Sequence, residues 1–137
     1  MLKLLQATLD EIIAHARADA PNEACGYLSE KDGVACRAIR LTNVDASPEH
    51  FRLDPKEQFT ALRKTRDEGS RLRAVYHSHT SSPARPSRED IRLAFDPSLS
   101  YVIVSLVGPE PVAKSYTIRN GAVTAEPIEV VASSSRS

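Results

Sequence analysis

No stretch of this 137-residue chain approaches the ~20 consecutive apolar residues that a membrane-spanning helix needs. Charge of one sign is also missing. Eighteen lysines and arginines balance eighteen aspartates and glutamates, so no global field draws the chain to nucleic acid or to an anionic membrane. The basic group Arg63, Lys64, Arg66, Arg71 and Arg73 reads as a solvated helix face with its exit loop. Two cysteines are too few for the disulfide framework of a small secreted protein, and a chain of this length buries a core without such staples. There is no internal repeat and no linker. Near the N-terminus Ala18-Asp19-Ala20 imitates a signal-peptidase site, but Asp10 and Glu11 interrupt the apolar region that a signal peptide would need. The expectation is a cytoplasmic protein.

What is present has the punctuation of one α/β domain. Leu5, Leu9, Ile12, Ile13 and Ala16 recur at helical spacing and stop before Pro21, with Thr8-Leu9-Asp10-Glu11 as a capping box at the start. Residues 24–30 and 34–41 read as strands paired around an Asp32-Gly33 turn. In that register Cys36 faces Ser29 and Cys25 faces Arg40. The two sulfurs are then offset by roughly 13 Å at the usual strand rise. That exceeds disulfide reach, so both thiols are expected to be free.

A polar segment, 42–55, follows, pinned by Phe51 and Leu53. Pro55 then opens a second helix that ends near Gly69. Residues 72–79 read as a strand, 87–95 as a short helix, and 101–107 as a strand buried on both faces. Residues 112–119 and 122–130 form a last hairpin around Asn120-Gly121. The expected architecture is a mixed sheet flanked by helices over residues 1–131, with a disordered Ser-rich tail over 132–137.

The stretch HSHTSSPARPSRED carries the chemistry. His77 and His79 are two apart on a strand and so share a face. Ser87 and Asp90, three apart at a helix start, also share one. Two imidazoles and a carboxylate are a three-ligand set that leaves one position of a divalent ion open for water. Ligand type alone leaves zinc, iron and manganese open. The plainer readings are a structural histidine pair at a strand end and a capping box made by Ser87 and Asp90. Concentration favours the metal site: two of the chain's four histidines lie within three residues, just upstream of that helix start.

His-x-His, seven residues, Ser, two residues, Asp resembles the motif of the JAMM (MPN+) metallopeptidases, and Glu23 in PNEACGYL stands where that family has an upstream glutamate. The resemblance runs nearly the length of the chain. It implies a single domain with a cytidine-deaminase-like mixed sheet and one Zn2+ held by His77, His79 and Asp90. It further implies Glu23 as general base and leaving-group acid, and Ser87 as hydrogen-bond donor to the tetrahedral oxyanion.

The chain lacks the large insertions with which eukaryotic members hold ubiquitin chains. It looks most like short bacterial members that cleave after the C-terminal Gly-Gly of a ubiquitin-like sulfur-carrier protein and release cysteine for biosynthesis. The alternatives are trimming or deconjugation of another ubiquitin-like carrier and, outside enzymes, a silent scaffold module. Neither nucleic acid nor membrane is implied as a partner, and the oligomeric state is left open. Arg85, between the ligands, is a candidate partner for a substrate carboxylate, against a solvated loop arginine. Cys25 is a candidate nucleophile, against a small buried strand residue. An extended tail is expected to add as a strand along the one bearing His77 and His79.

Overall fold

The histidine-bearing strand is central. The computed structural model describes residues 1–94 and 96–132. Its elements are β1 (Leu2–Leu5), α1 (Gln6–Asp19), β2 (Cys25–Lys31), β3 (Val34–Leu41), α2 (Pro55–Asp67), β4 (Arg71–His79), α3 (Arg88–Leu93), β5 (Ser100–Ser105), β6 (Val112–Arg119), β7 (Ala122–Glu126) and β8 (Ile128–Val131). Among the described residues all the strands join one sheet of order β7-β6-β5-β4-β2-β3-β1-β8. The β1–β3, β1–β8 and β4–β5 pairs are parallel and the others antiparallel. This is the expected mixed α/β sheet. No helix of the described residues is long and apolar enough to cross a membrane. The tail expected from residue 132 lies, beyond Ala132 itself, outside the described residues, as does Phe95 at the expected end of α3.

One face of the sheet packs on α1. Leu2, Leu4, Ile12, Ala16, Leu28, Tyr76, Val102 and Val104 are buried there as one cluster, each large side chain contributing about 1.5–3 kcal/mol by leaving water. Gly26 is required in this layer: a Cβ would stand 2.3 Å from the Ile39 carbonyl oxygen and 2.5 Å from the Tyr76 ring. The bare backbone lets that ring lie across β2, and its hydroxyl reaches His15 Nδ1 at 2.6 Å. On the other face Cys25, Tyr27, Leu41 and Ala61 pack with Phe51, Leu53, Leu72 and Val75 under α2. Asp54 caps α2 by accepting from the Lys56 N–H, and Pro55 occupies the first turn.

Three local expectations change. Helix α1 starts at Gln6 directly out of β1, with Leu5 as an N-cap that makes no side-chain bond. Thr8 is therefore a buried first-turn residue and not a cap. The last hairpin is broken at Pro127, because β7 pairs with β6 whereas β8 pairs with β1. And β4 is paired on both sides, to β2 and to β5, so it has no free edge to which an extended tail could add.

The turns at Asp32-Gly33 and Asn120-Gly121 have positive φ at both residues, as tight hairpins with the strands' twist require. The β2–β3 register slips by one past Ser29, leaving Cys36 in a bulge and Cys25 opposite Leu41. Both thiols are free, Cys25 buried and Cys36 exposed.

Candidate metal centre

At the end of β4, residues 77, 78 and 79 are all buried, although alternate residues face opposite ways. The Ser78 hydroxyl accepts from the Ala24 N–H at 2.8 Å while the Ser78 N–H donates to the Ala24 carbonyl at 3.0 Å. Those bonds extend the β2–β4 ladder past the Cys25–His77 pair and bring Glu23 across from His79. The loop 80–86 then folds back so that α3 begins over the same strand ends.

His77 Nε2, His79 Nε2 and Asp90 Oδ2 form a triangle with sides of 3.2, 3.1 and 3.1 Å, and among the described residues these three are the cluster able to hold a metal ion. His79 Nδ1 lies 2.8 Å from the Pro83 carbonyl oxygen. A carbonyl can only accept, so Nδ1 carries the hydrogen, and the neutral ring's Nε2 is a bare lone pair. That lone pair faces a carboxylate oxygen and another imidazole nitrogen, an arrangement stable only with positive charge among them. A tetrahedral zinc with bonds of about 2.0–2.1 Å would set its donors about 3.3–3.4 Å apart, close to the observed triangle. The donor set fits the ion.

Without an ion, a proton supplies part of that charge. Burial disfavours the His79 imidazolium, but its bonds to Asp90 and to the Pro83 carbonyl outweigh burial and raise its pKa above the ordinary value. Burial likewise works against a charged Asp90. Hydrogen bonds from His77 and His79, joined by the Ser87 N–H, nevertheless hold the carboxyl well below the usual range. The His77 ring is stacked on Phe51, with centroids 4.7 Å apart and planes inclined by 27°, which orients it without consuming a nitrogen.

Ser87 is both cap and neighbour of the site. Its oxygen accepts from the Asp90 N–H at 3.0 Å while its own N–H donates to Asp90 Oδ2 at 2.9 Å. This capping box aims the Asp90 carboxylate at the histidines, so the two sequence readings of these residues describe one arrangement. The Ser87 O–H proton makes no bond to the described residues and is left for another acceptor.

Glu23 is 4% exposed, and its Oε1 is buried with no hydrogen-bond partner. Burial raises its pKa to about 8; the neighbouring His79 pulls it down, and Asp90 and Glu89 push it up. Such a carboxyl is held for a partner that these residues do not supply. A cleft of about 460 Å³ opens beside it, lined by Asp19, Asn22 and Arg40 among others, but by none of the three candidate ligands.

Arg85 is exposed in the loop, its N–H donating to the Pro83 carbonyl at 2.8 Å. Cys25 lies at the core with its thiol pushed by burial up to about 12, which removes it as a nucleophile at neutral pH. Sequence reasoning missed Phe51 as a neighbour of the site; its signal was a lone aromatic in a polar segment, four residues before a proline.

Residues 5–119 match the family model described as prokaryotic homologs of the JAB domain. Over 126 residues, 90% of this chain and 86% of the relative, the sequence is 43% identical to the CysO-cysteine peptidase of Mycobacterium tuberculosis. It is 38% identical to a probable TtuB-protein conjugate cleaving protease of Thermus thermophilus, covering 69% of this chain and 64% of that one. The solution structure of protein DSY2949 from Desulfitobacterium hafniense superposes with a TM-score of 0.87 at 47% identity, covering 97% of this chain and 94% of that one. The chain belongs to the JAB-domain (JAMM/MPN) family.

Proposed function

We propose that this protein is a zinc-dependent peptidase that hydrolyses the bond after the C-terminal Gly-Gly of a ubiquitin-like sulfur-carrier protein, releasing cysteine. The observation that carries the reading is the pairing of a three-donor triangle at the end of β4 with a buried, unpartnered carboxyl, Glu23, across the ladder. The likeness to a named CysO-cysteine peptidase over most of both chains supports the substrate class. Free cysteines suit a reducing compartment, and the cytoplasmic placement belongs to the same proposal.

His77, His79 and Asp90 would hold one zinc ion, which when bound supplies Lewis-acid chemistry for amide hydrolysis. The remaining work falls to the chain's own groups. Glu23 Oε1 takes a proton from the attacking water and returns it to the departing amine. A carboxyl raised by burial is poised for that exchange, because a cation at the triangle draws its pKa down towards neutrality. The Ser87 O–H donates to the oxyanion; losing one such donor costs about 2.7–4 kcal/mol of transition-state stabilisation. Arg85 meets the carboxylate of the residue that leaves.

The test is to offer a carrier ending in Gly-Gly-Cys to the purified protein and follow intact mass with and without chelator. Cleavage should need the metal. Glu23→Gln should retain zinc while losing about 10²–10⁴-fold in rate; undiminished cleavage by that variant would remove Glu23 as the base. The Thermus relative favours a second reading, cleavage of a carrier from its conjugates with other proteins. A carrier joined through an isopeptide bond, offered in competition, separates the two.

A further inference from the structure

The loop between the ligands is gripped from beneath by the sheet. Three successive carbonyls, those of Ser82, Pro83 and Ala84, each accept from a side chain on a different strand. Ser105 Oγ of β5 donates to Ser82 at 2.6 Å, His79 Nδ1 of β4 to Pro83 at 2.8 Å, and the Tyr116 hydroxyl of β6 to Ala84 at 2.6 Å. All three donors are buried, at 2%, 5% and 8% exposure, while Ser81, Ser82, Pro83 and Arg85 are exposed.

The Tyr116 ring also packs with Ala84 and Ile103, and Ile103 stands beside His77 in the β4–β5 pairing. Pro83 and Pro86 bring no N–H to the loop, so main-chain carbonyls are the natural handles for holding it. One residue beyond the loop, Ser87 fixes the Asp90 carboxylate. The setting of Asp90 against the two histidines thus depends on where residues 82–84 are held.

We propose that Tyr116 and Ser105 are positioning residues of the cation site: they fix the 80–86 loop so that Asp90 Oδ2 closes the triangle and the Pro83 carbonyl stays in place to set the His79 tautomer. This rests on reading the triangle as a cation site, and not on the identity of the substrate. Groups that orient metal ligands from behind typically change affinity by about 10–100-fold when removed.

The experiment measures Zn2+ affinity of the metal-free protein by competition with a chromophoric chelator, and the visible spectrum of the Co2+ form. The variants are Tyr116→Phe, Ser105→Ala and Ser105→Thr, with Thr65→Val as control. Thr65 is also buried, and its hydroxyl bonds only within α2, to the Ala61 carbonyl. Tyr116→Phe and Ser105→Ala should each weaken Zn2+ binding by about 10–100-fold and alter the Co2+ bands. Ser105→Thr, which keeps a hydroxyl, should restore much of the affinity. Thr65→Val should leave affinity and spectrum unchanged at a comparable loss of Tm.

Should Tyr116→Phe fail to fold, the two Ser105 variants decide. Variants binding Zn2+ within about two-fold of the parent protein would overturn the proposal while leaving the cation site standing. A parent protein that binds no Zn2+ would overturn the cation site and the proposal with it.

Discussion

Strand β4 has a buried polar cluster at each end, and the two are built to opposite rules. At its start, Arg73 sits in a bulge of the β2–β4 pairing and bonds the Ser100 hydroxyl and Glu126. Glu126 accepts further bonds from Ser100 at 2.5 Å and Ser115 at 2.7 Å, and Glu30 pairs with Arg71 and Arg73. Burial opposes a charged Glu126, but these bonds outweigh it and hold its pKa below the ordinary value. Both Glu126 oxygens have donors, Glu30 Oε1 accepts from Arg71 and Glu30 Oε2 faces Arg73 at 3.9 Å, so the charges cancel within the protein. At the end of β4, three potential metal ligands converge on one point and one Glu23 oxygen has no partner. The first cluster is complete as folded. The second is complete only with something added, and that incompleteness is why we propose it as the functional end.

The contrast breaks first at Arg73. Arg73→Ala leaves Glu126 and Glu30 short of a buried counter-charge and should cost about 3–5 kcal/mol of stability, read as a fall in denaturant midpoint. Zn2+ affinity should not change. A parallel loss of metal binding would show that the two ends are coupled and that the contrast is false.

A smaller effect, on the order of a few kcal/mol, follows from Glu23 in the metal-free protein. Its carboxyl titrates at about 8 when folded, against an ordinary 4.5. The native state therefore keeps a proton that the unfolded chain has released. The corresponding stability is fully present below pH 4.5 and is lost as pH rises through about 8. Glu23→Gln lacks this loss, so its Tm should gain on the parent's as pH rises across that window. An offset that does not vary with pH would mean that Glu23 is not held in a dry site.

The smallest effect is expected at Arg85. Arg85→Ala should raise KM about three- to five-fold with kcat nearly unchanged, and unaltered steady-state kinetics would leave the arginine a solvated loop residue.

Legibility followed the range of the interactions. The short helix α3, its capping box and the histidine pair are written in contiguous residues, and the structure places them together. Glu23 lies 54 residues upstream of His77 and joins the site through strand pairing, which local spacing does not encode; only resemblance pointed to it. Strand β1 was hidden because Leu2 and Leu4 offer too short an alternation to tell from the first turn of a helix. The break at Pro127 was read through because β7 and β8 run the same way, and the switch of partner is invisible without the sheet. Ser105 and Tyr116 left no trace at all, since their partners are main-chain carbonyls, which every sequence has.

That switch at Pro127 has a consequence for how the protein is made. Of the described strands β8 is synthesised last, long after its sheet neighbour β1, so β1 emerges with one side that cannot be filled until residues 128–131 arrive. Until then its outward N–H and C=O groups form an open edge, the kind of surface on which nascent chains pair with each other. The strand is only four residues long and ends at once in a helix, which keeps that edge short during the wait.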